Sequence, residues 1–122
     1  MRDDLSSFLP LSPAVLHILL ALAGEDRHGY GIMLEVARQS EGRYKLGPGT
    51  LYDNLQRLVN LGMVAEAPRP ANVSAAEDDP RRRYYRLTPF GRDVLGADIH
   101  RLEAVVREAK ARLRAPSPRR AT

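Results

Sequence analysis

The sequence has no cysteine and no tryptophan, and only two phenylalanines beside five tyrosines. Without cysteine there is no disulfide, no thiolate metal site and no thiol nucleophile, a usage that suits a reducing compartment. Without tryptophan the core has to be built mainly from Leu, Val, Ile and Ala, and the most obvious planar platform for stacking a flat ligand is missing. Long apolar runs are missing too. The longest, residues 14–23, is interrupted by His17 and falls far short of the roughly 20 residues that span a bilayer. The opening Met1-Arg2-Asp3-Asp4 lacks the basic stretch of a secretory signal. The expectation is a cytoplasmic protein with no membrane partner.

What remains is ordinary globular material: 122 residues, 43 % apolar and 28 % charged, enough for one domain and one elongated appendage. A domain this small leaves much apolar surface uncovered, so a partner subunit would help it. Charge is unevenly placed. Residues 1–80 carry 7 Lys and Arg against 11 Asp and Glu, whereas residues 81–122 carry 12 against 4. Basic charge therefore gathers in the last third, where Arg81-Arg82-Arg83 stands beside Tyr84-Tyr85, the composition of a phosphate-binding surface or of a solvated basic strand end.

Residues 1–11 read as an arm. Ser12-Pro13 is a helix start, because the Ser oxygen can accept from the first free amides and Pro at the next position loses no bond. The first helix should run to about Leu22, apolar on more than one face and therefore largely buried. A second is expected from Gly29 to about Ser40, with Ile32, Met33, Val36 and Ala37 at helical spacing. A Gly- and Pro-rich turn then leads into a third, from Pro48 to Leu61. Leu51, Leu55 and Leu58 fall on one stripe of it, while Gly49, Asp53, Gln56 and Asn60, flanked by Thr50, Tyr52 and Arg57, form a polar face free to meet a partner.

After Gly62, residues 63–67 and 83–87 read as two strands, the second with Tyr85 and Leu87 inward and Tyr84 and Arg86 outward. Residues 68–82, with three prolines and an acidic middle, should be a mobile hairpin loop. Thr88-Pro89 opens a last helix to about Leu113. Along it Leu95, Ile99, Leu102, Val106, Ala109 and Leu113 step by 4, 3, 4, 3 and 4, a heptad seam that a helix of this length is expected to share with a second copy of the chain. Residues 115–122 are expected to be disordered.

Catalytic chemistry has little support. His17, His28 and His100 lie in separate segments, with His17 on an apolar helix where a satisfied core imidazole is expected. The metalloprotease HExxH, CxxC and Walker patterns are absent, and Gly47-Pro48-Gly49-Thr50 lacks the lysine and spacing that cradle a nucleotide. Asp3-Asp4 and Asp78-Asp79 read as solvated loop charges. No enzyme activity, cofactor or metal is expected.

The order of helix, helix, turn, helix and two looped strands is that of a winged helix-turn-helix: mainly α with a small two-stranded β-hairpin, over residues 12–88, followed by a dimerisation helix at 89–114. An α-helix fits the DNA major groove and a hairpin reaches neighbouring phosphates, although winged helices also serve as protein-binding modules. Four motifs narrow the choice. His28-Gly29-Tyr30-Gly31, residues 46–52 (LGPGTLY), Leu61-Gly62-Met63-Val64 and residues 83–92 (RYYRLTPFGR) together resemble the PadR family of transcriptional regulators, over about residues 12–95. The resemblance implies a homodimeric DNA-binding repressor that reads a roughly palindromic operator, with the last helix supplying much of the interface. It also implies that Thr50 and Tyr52 contact the DNA backbone, and packing on the wing is the alternative for Tyr52. Asp53, Gln56 and Arg57 are the candidates for base edges. Lys45 and Tyr30 are expected at the flanks, Tyr30 with a core position as its alternative, and Arg82 and Arg83 at phosphates. Whether a small-molecule effector releases the protein from DNA stays open. One departure stands out: the family wing has a short Gly- and basic-rich tip, whereas this one carries Glu77-Asp78-Asp79, which should face away from phosphates or bend back.

Overall fold

The computed structural model describes residues 5–114. The expected disordered tail, the Asp3-Asp4 pair and the first residues of the arm lie outside them. Helix α1, Pro13–Gly24, starts where the sequence says it should: the Ser12 hydroxyl accepts from the Val15 amide at 3.2 Å, with Pro in the first turn. Strand β1, Arg27–His28, leads directly into α2, Gly29–Gln39, and α3 covers Pro48–Asn60. Strands β2, Val64–Ala67, and β3, Tyr84–Leu87, precede the long α4, Pro89–Arg114.

Both middle helices end in the same device. After α3, the Gly62 and Met63 amides donate to the Val59 and Leu58 carbonyls at 3.0 Å, with Gly62 at φ +81°. After α2, Glu41 and Gly42 donate to Arg38 and Ala37, and Glu41 itself holds φ +55°. In each case a left-handed residue lets the chain turn back and satisfy the last carbonyls. The core is what the apolar spacing predicts: Leu51, Leu55 and Leu58 of α3 are buried against α1 and α2, with Ile18, Leu19 and Leu22 at the centre. His17 is satisfied as expected, its ring stacked on Tyr44 and its Nδ1 3.0 Å from the Gln39 amide.

Three points correct the sequence reading. The sheet has three strands in the order β1-β3-β2, all antiparallel, because Arg27 and His28 pair with Tyr85 and Tyr84 instead of only turning the chain. Tyr84 is buried, not outward, since the His28 ring and Asp78 of the wing loop lie against it. Leu95, the first residue of the expected seam, belongs to the chain's own core.

The seam divides at Asp98. Up to that residue α4 is held by the body, with Gly91 so close to the β2 turn that a Cβ there would sit 2.0 Å from the Met63 carbonyl oxygen. Asp98 itself is fully buried, one carboxylate oxygen accepting from Arg101 Nε at 2.7 Å. Beyond it Leu102 is half-buried, Ile99, Val106, Ala109 and Leu113 are exposed, and so is every residue from 103 to 114. No helix among the described residues is long and apolar enough to cross a membrane.

Candidate nucleic-acid interface

Helix α3 presents its polar face outward because its leucine stripe faces in. Thr50, Tyr52, Asp53, Gln56 and Arg57 are all exposed, with Gln56 hydrogen-bonded to Asn60 at 3.2 Å and the Arg57 guanidinium in no hydrogen bond or ion pair among the described residues. The helix has Gly47 at its N-cap and no side chain there to accept from its first amides. Those amides and the positive end of the helix dipole are open to an anion, with Thr50 in the same turn.

Tyr52 reaches across to α2. A Cβ on Gly29 would fall 2.1 Å from the Tyr52 hydroxyl oxygen, so only glycine lets the phenol lie against the start of α2. The ring packs on its neighbour, yet 48 % of the residue stays exposed. Tyr30 is exposed on the first turn of α2, which excludes the core alternative.

The wing closes the third side. Arg81, Arg82 and Arg83 join Tyr30, Tyr52 and Tyr85 around a concavity of about 360 Å³ at the beginning of α2. Three elements far apart in sequence thus bring phenols and guanidinium groups to one cup, with the Asp79 carboxylate also in its wall. Lys45 is exposed on the turn before α3, outside this cup. A second groove of about 310 Å³ lies on the other side of Tyr52, between Gln56 of α3 and Glu66 and Arg83 of the wing.

The arginines do not stand as bare cations. Arg81 pairs with Asp79 at 3.4 Å, Arg82 with Asp78 at 3.1 Å and Arg83 with Glu66 at 3.3 Å. Backbone and side-chain hydrogen bonds from Arg81 hold the Asp79 carboxyl below the usual carboxylate range. Burial, and then Glu66, push the Tyr85 phenol up. Two of the three pairs are solvent-exposed, and such pairs contribute little, so Arg81 and Arg83 can exchange a carboxylate for a phosphate at small cost. The third differs, because Asp78 is covered.

Sequence reasoning brought Tyr30, Tyr52, Arg82 and Arg83 to the site separately, and the fold brings them together. It missed Gly29 as the seat of Tyr52 and the carboxylate partner of each arginine, and it counted Arg81 with the phosphate-binding arginines that line the cup. The glycine within the His28–Gly31 motif was the one available signal, since a helix-start glycine marks close approach of another group.

Comparison with known proteins identifies the fold and the family. Residues 15–97 match the model of the "Transcriptional regulator PadR-like family". The "Transcriptional regulator Rv3488" of Mycobacterium tuberculosis is 38 % identical over 93 residues, covering 76 % of this chain and 78 % of that protein. Among solved structures, a PadR family transcription regulator from Clostridium difficile superposes with TM-score 0.63 at 25 % identity, over 84 % of this chain and 99 % of the other. The fold is shared also with a PadR-like regulator from Bacillus cereus, at TM-score 0.67 and 18 % identity, over 93 % and 99 % of the two chains. With three-quarters of the chain aligned to one regulator and the family model spanning the winged-helix body, this protein belongs to the PadR-like family of transcriptional regulators.

Proposed function

We propose that the chain is a homodimeric repressor that acts in the cytoplasm on double-stranded DNA with a roughly palindromic operator. The observation that carries this reading is the convergence of Tyr52 from α3, Tyr30 from α2 and Arg81 to Arg83 from the wing on one cup. Phenol and guanidinium donors suit a phosphate oxygen. With a backbone phosphate seated there, the exposed face of α3 lies beside the groove, where Gln56 suits adenine, Arg57 guanine and Asp53 the cytosine amino group.

Dimerisation supplies the operator symmetry. The free part of the α4 seam would pair two copies, presenting two α3 helices to half-sites about 34–36 Å apart. Release by a small-molecule effector fits the same reading as a change in that spacing, with no ligand class singled out.

The test is a titration of fluorescently labelled duplex from the gene's own upstream region at several salt concentrations. Steep loss of affinity with salt, through counterion release, is the expected outcome. Absence of duplex binding at low salt, together with capture of a protein partner by the α3 face, would instead support the protein-binding module.

A further inference from the structure

The wing loop, residues 68–83, carries Glu77-Asp78-Asp79 where the resemblance implied a basic tip, and it has a definite shape. Its acidic end does not stand out in solvent. The Asp78 side chain is 3 % exposed, which corrects the expectation of a solvated charge. Its Oδ1 accepts from Arg82 Nη1 at 3.1 Å, and its Oδ2 accepts from the Tyr84 hydroxyl at 3.0 Å. Tyr84 is in turn held in the sheet opposite His28, whose ring meets it edge-on at 5.4 Å. Asp78 thus ties the loop to the sheet through a buried phenol, and bends it back over the β1 edge. Glu77 and Asp79, its neighbours, remain exposed.

Covering a carboxylate costs least when both oxygens are matched by donors, as those of Asp78 are. Leaving it unpaired is costly, so Arg82 does not desert Asp78 for DNA as Arg81 and Arg83 can desert their exposed partners. The guanidinium has five N–H donors in a rigid fork. With Nη1 turned to Asp78 and the guanidinium also beside the Tyr84 hydroxyl, N–H donors are left over for another acceptor. Arg82 lines the phosphate cup on one side and the hollow beneath the loop on the other.

We propose that Asp78 is a positioning residue of the wing: its buried carboxylate folds the acidic loop away from DNA and aims Arg82 into the cup. The inference rests on the reading of that cup as a DNA phosphate site. It predicts an effect opposite in sign to simple electrostatics. Removing a negative charge beside DNA ordinarily tightens binding, whereas loss of this one frees the loop and misdirects Arg82.

The experiment compares the full-length wild type, D78A, D78N, R82A and the double variant D78A/R82A for affinity to the operator at constant salt. D78A is expected to weaken binding about tenfold, the value of one well-placed charge-assisted contact. D78N keeps one acceptor for one of the two donors, preserves the fold, and should lie between wild type and D78A. In the R82A background, D78A should cause little further loss, because the two residues act through one contact. Cleavage of the 68–83 loop by trypsin should also accelerate in D78A. Binding by D78A and D78N as tight as wild type or tighter overturns the proposal while leaving the DNA reading intact. Equal losses from D78A in both backgrounds overturn it as well, since the residue would then serve only the fold. Failure of the wild type to bind any duplex overturns the DNA reading, and the proposal with it.

Discussion

Helices α3 and α4 begin alike and end differently. Each has Pro in its first turn and an apolar stripe down one side. The stripe of α3 is covered for its whole length by the body of the same chain, and the opposite polar face is left for a partner. That of α4 is covered only as far as Asp98, and past it the helix carries Ile99, Val105, Val106 and Leu113 into solvent. A helix of 26 residues extends about 39 Å, more than so small a body can cover. The same pattern therefore signifies core in one helix and an uncovered apolar stripe in the other, and chain geometry, not hydrophobicity, decides which.

The comparison breaks most readily with one substitution in each stripe. Val106→Asp changes a residue exposed in the single chain, so the monomer should keep its helix content. In a dimer it buries an unpaired carboxylate against its mate, at about 3–5 kcal/mol per dimer. Sedimentation should then find monomers at micromolar concentration, and a variant that stays dimeric would remove the seam from the interface. Leu55→Ala, by contrast, empties a fully buried site and should cost about 2–5 kcal/mol of folding stability, seen as a lower urea midpoint in a variant that still dimerises once folded.

The outward faces sharpen the contrast. Gln56→Ala and Arg57→Ala should each lose about 1–3 kcal/mol on the preferred operator and much less on random duplex, since base contacts specify and phosphate contacts position. Arg107→Ala, on the exposed part of α4, is the control and should change neither. Equal losses on both DNAs from the α3 variants would move those residues to the backbone-contact class.

How much of this was legible depended on the range of each interaction. The stripe Leu51, Leu55, Leu58 and the cap at Ser12-Pro13 are local, so spacing and residue type suffice to find them. β1 was not legible, because two residues cannot show an alternation and Arg27-His28 become a strand only by pairing with β3. Tyr84 followed the period-2 rule toward the outside, and the rule failed since a loop returned to cover it. The site was legible as a list of residues but not as a cup. Tyr52 meets Gly29 and Arg83 meets Glu66 only through the tertiary fold, and the carboxylate partners that moderate the arginine cluster leave no mark in a net charge.

The smallest effect expected concerns the joint between α2 and the wing, where His28 serves as N-cap. Its Nδ1 accepts from the Gly31 amide at 3.0 Å, which requires the neutral ring with its proton on Nε2. Burial first, then the Arg82 guanidinium, hold the imidazole below its ordinary value of 6.5, and Asp78 opposes them in part. Folding thus favours the neutral form. The stability this contributes is complete above pH 6.5 and is lost as pH falls through the lowered folded value. Protonation would set an N–H against the Gly31 N–H and remove the cap. Melting temperature should therefore decline in the mildly acidic range below pH 6.5, before the carboxyls of Asp79 and Glu35 titrate, because their arginine partners hold both below the usual carboxylate range. In His28→Asn the side-chain oxygen still accepts from Gly31 and does not titrate, so that part of the decline should vanish while the neutral-pH stability changes by no more than about 1 kcal/mol. An identical decline in the variant would place the responsible proton elsewhere, and the α2 cap would then owe nothing to the charge state of His28.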